Sequence, residues 1–284
     1  MTSDELIKKL AGKAKDGDTF YFFWGDVTIP EFLVNLGITK YVALELGVAV
    51  LMLAIFIPMA VKVRGGLPVT GRLWNMLEVF LIYLRDNVIV AGIGSKKDAA
   101  PYVPYLWTLF FFILFCNLAG LIPGLSTPTA AIAVTGTLAA LTLAIVIATG
   151  VYRHGPIGFW TGMVPHVEGK IGPINLALVM APLLFVLEVF GFFVKHCTLC
   201  IRLMANMFGG GLILGIIVAF IPMVAVLWTV WNPAAAVSTW CLVTTLSFLG
   251  LVALTFLKLL VSFLQAYIFT FLTSIYIGMA INQH

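Results

Sequence analysis

Charge is what this chain most conspicuously lacks. Only 10% of its 284 residues are Asp, Glu, Lys or Arg, against roughly a quarter in an ordinary soluble domain. With 62% hydrophobic residues and a mean hydropathy of +1.10, the shortage excludes a soluble fold and points to a polytopic membrane protein. The formal net charge of +4 is small, so no nucleic-acid partner is implied. Cysteine is scarce as well. Cys116, Cys197, Cys200 and Cys241 all sit among apolar residues, which suggests no disulfide framework, and Cys197-x-x-Cys200 reads as two small residues of a membrane helix rather than a redox pair. Residues 1–19 are polar and mixed in charge, without the apolar core of a cleavable signal peptide. There is no G-x-x-x-x-G-K-[ST], which excludes a phosphate-cradling loop of that kind. His154, His166 and Glu168 match no zinc spacing, so neither metal nor cofactor is expected.

What is present is organised by long apolar runs. Residues 1–40 form an outer or periplasmic N-terminal segment, with a short surface helix over 1–18 and an irregular or interfacial stretch to Lys40; residues 41–284 form a single membrane domain. The first span runs over 41–63, long enough to cross a hydrocarbon core of ~30 Å. Its lone acid, Glu45, lies near one end and reads as an interfacial carboxylate. Lys62, Arg64, Arg72, Arg85, Lys96 and Lys97 follow, marking the next loop as cytoplasmic and the N-terminus as outside. Within that loop, residues 73–90 alternate apolar and polar at helical spacing, as an interfacial amphipathic helix does. Further spans are expected at 102–121 and 129–152, with Arg153 again marking the inside. The glycine- and proline-rich residues 153–173 read as a connection.

Two longer segments, 176–221 and 234–281, exceed the length of an upright span. The first must break near Gly209-Gly210-Gly211 or lie strongly tilted. On it, Glu188, Lys195, Arg202 and Asn206 are separated by seven, seven and four residues, within about 40° of one another on one helical face. On the second, Lys258, Ser262, Gln265 and Tyr276 form a comparable stripe. Polar residues can join membrane helices by hydrogen bonds. Ionisable ones in spans are costly, however, and typically line ion pathways, so Glu188, Lys195 and Arg202 point to a water-lined route for a small cation.

The segment Glu188…Arg202-Leu-Met-Ala-Asn206-Met-Phe, together with Phe263-Leu-Gln265-Ala-Tyr-Ile-Phe269-Thr, resembles subunit a of the F-type ATP synthase. Asn117-Leu-Ala-Gly-Leu-Ile-Pro123-Gly and Thr129-Ala-Ala-Ile-Ala-Val-Thr support the likeness, which covers residues 42–284. The resemblance implies an all-α membrane fold of upright spanning helices, an interfacial amphipathic helix and two long, strongly tilted helices. It implies a non-catalytic, ion-translocating stator of a bacterial inner membrane, with its C-terminus in the cytoplasm. Its partners would be the c-ring, the b subunits of the peripheral stalk, the rest of the F0F1 complex and membrane lipid. Two aqueous half-channels would meet the ring, with Arg202 as the essential arginine between them. Asn206 and Gln265 would orient water and guanidinium, and Glu188 would line the cytoplasmic half-channel.

The chain departs from the family pattern in the outer half-channel, where a complementary polar or ionisable pair is common. Those positions hold Gly211 and Lys258, so Lys258 titrates there or else water and Ser262 serve instead. His196 stands where a proline is frequent; it either faces a neighbouring helix or tunes the inner channel. Two other classes are weighed: a secondary ion transporter, which would show internal repeats that this sequence does not have, and a non-conducting scaffold whose stripes only join helices.

Overall fold

The computed structural model describes residues 19–22, 25–28, 40–64, 71–122, 127–162, 170–171, 174–231 and 233–282. The helix expected over 1–18, the glycine and proline break at 65–68, Pro123-Gly124, and His166 and Glu168 lie outside these residues. A strand β1 (Thr19–Phe22) pairs antiparallel with β2 (Gly25–Thr28). Then come α1 (Lys40–Arg64), α2 (Arg72–Tyr83), α3 (Val90–Ile93), α4 (Lys96–Ala99), α5 (Val103–Ala119) and α6 (Ile132–Gly162). A two-residue pairing of β3 (Lys170–Ile171) with β4 (Ile174–Asn175) precedes α7 (Leu176–Trp231) and α8 (Pro233–Ile281). Among the described residues, the fold is all-α apart from these two short strand pairs. Among the described residues, Tyr41–Arg64, Ile132–Gly162, Pro182–Ala219 and Trp240–Ile281 are long and apolar enough to cross a membrane, and α5 is a shorter apolar helix.

Several boundaries differ from the sequence expectation for physical reasons. Residues 19–22 and 25–28, expected to be irregular, pair as two antiparallel strands. The third helix begins at Ile132 rather than 129 because a tight turn over Pro128–Ala130 precedes it, with Thr129 buried and hydrogen-bonded. It also continues to Gly162, through residues expected to form a connection. Gly155 (φ 77°, ψ 166°) breaks it, and Pro156 restarts it, having no N–H to satisfy in a first turn. The bend folds Phe159 back onto Gly150, where a methyl group would stand 2.1 Å from the ring. The interfacial helix over 73–90 contains a wider turn over Leu84–Ile89, closed by i to i+5 hydrogen bonds. Finally, α7 runs to Trp231, past the expected end at 221, and Gly209–Gly211 lie inside it without positive φ. The glycine triplet is not a break.

The chain divides into two compact units, and the division passes through helices. The first holds Met1–Ile55, Leu114–Ala131 and Asn206–Phe263; the second holds Phe56–Ile113, Ile132–Ala205 and Leu264–His284. The second has the larger apolar core, with Leu84, Val88, Ile89, Leu106, Phe110, Phe159, Leu203, Phe269 and Ile277 all almost fully buried. There the end of α8 meets α3 at backbone distance: a Cβ on Gly278 would lie 2.5 Å from the Gly92 carbonyl oxygen, and one on Gly92 would strike the Ser274 hydroxyl. Small residues allow this approach, and in lipid close packing takes the place of hydrophobic association. The Ser274 hydroxyl donates to the Val88 carbonyl at 3.2 Å, and the Asn282 amide to that of Ile93 at 3.3 Å. Arg153 and Asp98 form an ion pair, and His154 Nε2 donates to the Ile281 carbonyl at 3.1 Å. Helix α6, the short α4 and the end of α8 therefore share one corner.

Candidate functional site

In the second unit, α7 buries Phe192, His196, Leu199 and Leu203 at intervals of four, three and four. That spacing is one helical face. Beside it, the stripe of Glu188, Lys195 and Arg202 stays out of the core. Glu188 and Lys195 face each other at 3.8 Å, with side chains 48% and 42% exposed. Arg202 is exposed, and among the described residues no hydrogen bond or ion pair holds its guanidinium. Exposed apolar side chains flank this stripe, including Leu187, Phe190, Val194 and Ile201. A charge that cannot be neutralised thus sits on an apolar outer face, where desolvation without a partner is costly.

On α8 of the same unit the stripe turns inward. Gln265 is 5% exposed and its Nε2 has no partner among the described residues. Below it, Ser274 is buried, and Thr270 and Thr273 are buried and bond to carbonyls of their own helix at 2.9 and 2.8 Å. Such local bonds satisfy hydroxyls without a partner helix. His196 faces a neighbour: its ring lies 4.9 Å from Phe192 and 5.0 Å from Tyr276, and Nδ1 donates to the Phe192 carbonyl at 2.9 Å.

The first unit holds the other three predicted residues. Lys258 is 6% exposed, and its ammonium donates to the Gly120 carbonyl at 3.2 Å. That oxygen belongs to the C-terminal end of α5, where unpaired carbonyls and the helix dipole favour a cation. The Lys258 stem lies along Gly210, with Cε 3.5 Å from where a Cβ would be. Ser262, one turn on, is fully buried and donates to the Lys258 carbonyl at 2.7 Å. Asn206 is half-buried and Gly211 exposed.

Sequence reasoning assigned no role to Asn117 and Thr129, which complete this cluster. Both are fully buried; Thr129 donates to Asn117 Oδ1 at 2.7 Å, and Asn117 Nδ2 reaches the Ser262 carbonyl at 3.5 Å. A signal was available, since each opens one of the short motifs that carried the family likeness. A polar network of this kind, buried and mutually bonded, can hold water and pass protons, and the cation within it sets its electrostatic sign. Among the described residues, no three His, Cys, Asp or Glu side chains gather as a metal site.

Comparison with known proteins supplies the context. The sequence pattern of a family described as ATP synthase A chain matches residues 42–278. The chain is 34% identical over 271 residues to ATP synthase subunit a of Rhodobacter capsulatus, covering 94% of this chain and 98% of that one. It is 31% identical over 248 residues to the Myxococcus xanthus subunit a (87% and 74% of the two chains), and 36% identical over 224 residues to that of Sphingopyxis alaskensis (76% and 78%).

Proposed function

Since the chain belongs to the ATP synthase A chain family, we propose that Arg202 is the residue around which its proton path is built. The protein is the proton-translocating stator subunit of the F0 sector, a multi-pass protein of a bacterial inner membrane that associates with the rest of the F0F1 complex. Its partner at Arg202 is a ring of c subunits carrying a membrane carboxylate. The observation that carries this reading is the exposure of an unpaired arginine on an apolar helical face: the countercharge that makes such a position tolerable has to come from outside the chain.

The mechanism follows from that charge. A carboxylate passing Arg202 is stabilised in its ionised form, so it gives up its proton there. Because guanidinium keeps its own proton under desolvation, it also blocks direct proton leakage between the two half-channels. The carboxylate is reprotonated from the other half-channel before re-entering lipid, where an ion would be expensive. Asn206 and Gln265 supply neutral amides that orient water and the guanidinium fork. Glu188 lines the cytoplasmic half-channel, and Lys258 and Ser262 line the outer one. ATP chemistry resides on other subunits, and the b subunits of the peripheral stalk hold this one against rotation.

Geometry supports the tilted arrangement. The apolar part of α7, Pro182–Ala219, has 38 residues, far more than the ~20 an upright span needs, in keeping with a tilted helix along the flank of the ring. The Arg153 and Asp98 pair joins two segments read as cytoplasmic, in keeping with an outer N-terminus and a cytoplasmic C-terminus. The test is Arg202→Ala in the assembled complex. ATP-driven proton pumping in inverted membrane vesicles is expected to vanish while the complex stays membrane-bound; normal pumping would overturn the reading.

A further inference from the structure

Lys258 stands where an ionisable relay is common in the family, yet its surroundings in the first unit are those of a fastener. Helix α5 ends at Ala119. The carbonyls of Leu118 and Ala119 are taken by the N–H groups of Leu121 and Ile122, at 3.0 and 3.2 Å. The next carbonyl, that of Gly120, accepts from the Lys258 ammonium at 3.2 Å. Three residues before Gly120, the Asn117 amide reaches the carbonyl of Ser262, four residues after Lys258 on α8. The two helices therefore run antiparallel here and exchange one hydrogen bond in each direction, on rungs about 5 Å apart. Both rungs are backed by the segment that follows α5. Thr129 donates to Asn117 Oδ1, and Thr127 lies so close to Gly120 that a Cβ there would stand 2.1 Å from its hydroxyl oxygen.

The acceptor decides what the lysine can do. A carbonyl oxygen at a helix end is unpaired and favours a cation through the helix dipole, but it takes only a hydrogen bond and not the proton itself. A proton carrier needs a group within hydrogen-bond reach that can take the proton onward. Among the described residues no carboxylate, imidazole or hydroxyl bonds the Lys258 ammonium, and the Ser262 hydroxyl, one turn along, gives its proton to the Lys258 carbonyl. The end of α5 offers one titratable side chain, the fully buried Cys116, while Asn206–Gly211 of α7 and Thr127–Ala131 hold none. We propose that Lys258 is a positioning residue of the outer half-channel rather than its proton carrier. Its ammonium clamps α8 to the end of α5 and keeps Asn117 over Ser262, so the half-channel works with no ionisable relay at either family position, Gly211 or Lys258. This rests on the stator reading above. The proton is passed by water held on Thr129 and Ser262, whose hydroxyl oxygens still accept after donating their own hydrogens. Each water gives up one proton as it receives another, and no residue changes charge.

The test uses the whole ATP synthase in membrane vesicles, reading passive proton flux after removal of the F1 sector against pH in the compartment facing the outer surface. Lys258→Arg keeps a charged donor that cannot lose its proton, and parent-like flux with an unchanged pH profile is expected. Lys258→Met keeps the stem and loses the donor. Its flux is expected to fall about tenfold at every pH, the low end of what a hydrogen bond from a charged donor contributes, with the profile keeping its shape. An assembled Lys258→Arg that does not conduct overturns the proposal, since a proton that cannot be given up disables a carrier and not a clamp. Parent-like flux in Lys258→Met overturns it too. If Lys258→Arg does not assemble, Lys258→Met decides: a lowered profile of parental shape supports the clamp, and the loss of a pH-dependent step overturns it. Arg202→Ala, read by ATP-driven pumping, separates the two readings, because pumping lost there beside a non-conducting Lys258→Arg removes the clamp alone.

Discussion

The polar stripes of α7 and α8 look alike in sequence and are opposite in placement. Glu188 and Arg202 are exposed, whereas Lys258, Ser262, Gln265, Thr273 and Tyr276 are all buried. The buried stripe is largely satisfied by its own backbone and by Asn117 and Gly120, as expected of groups that join helices or enclose water. The exposed one contains permanent charge with no resident partner at Arg202. A stripe that served only to hold the chain together would have turned inward. On the proposed reading, the difference gives structural and water-holding work to α8 and contact with the c-ring to α7.

The sharpest way to break this contrast is Arg202→Lys. It preserves charge and approximate length, yet lysine can lose its proton on desolvation and lacks the two-pronged donor. ATP-driven pumping is expected to fall to background with normal assembly, and near-parent pumping would show that any cation suffices on the exposed stripe. Next is Gly278→Val, on the inward side of α8. The added side chain collides with backbone of α3, and overpacking of this kind costs about 1–3 kcal/mol or more. The level of subunit in membranes should drop sharply, with Gly209→Ala, which meets nothing within 4 Å, as the innocuous counterpart. Equal levels for the two would mean that the α3 and α8 contact is not tight.

Smaller effects separate the stripes more finely. Thr273→Val removes a hydroxyl bonded within its own helix and is expected to shift the thermal midpoint in detergent only slightly, since such bonds contribute about 0.6 kcal/mol on average in membranes. A loss of proton flux with unchanged stability would instead show that the buried stripe carries water that far. The smallest effect belongs to the exposed Arg85 and Asp86 pair on the wide turn after α2. There the hydrogen bond from Arg85 holds the Asp86 carboxyl below its ordinary range. A depressed carboxyl contributes stability that is present above its unfolded value and lost as pH falls through the folded one. Asp86→Asn should therefore leave the midpoint near neutral pH almost unchanged, because solvent screens the pair, with any difference from parent vanishing in acid.

Much of this was legible without coordinates. Apolar runs of sufficient length gave the four long helices and the shorter α5, because a spanning segment must satisfy its backbone internally and keep charge out. Basic residues gave the loops. The pairing of Arg202 with Asn206 and of Lys258 with Ser262 and Gln265 on single faces followed from helical periodicity, as did the family likeness from the motifs themselves. The misses have local causes. A glycine able to take φ 77° followed by proline looked like a loop and is a bend between two helical pieces. Three consecutive glycines left open a break or an unbroken tilted helix, and the helix runs through them, since neighbouring apolar residues and the absence of water favour intact backbone bonding in a membrane segment.

Which way each stripe faces could not be read from periodicity at all. In a soluble helix the apolar face is the buried face, but lipid is as apolar as a protein core, so hydropathy assigns no inside to α7 or α8. Only packing did that, by setting Phe192, His196, Leu199 and Leu203 against the core and leaving Arg202 out. Sequence determined which charges this membrane protein would carry and on which helices; tertiary structure decided which of them are enclosed and which are offered to a partner.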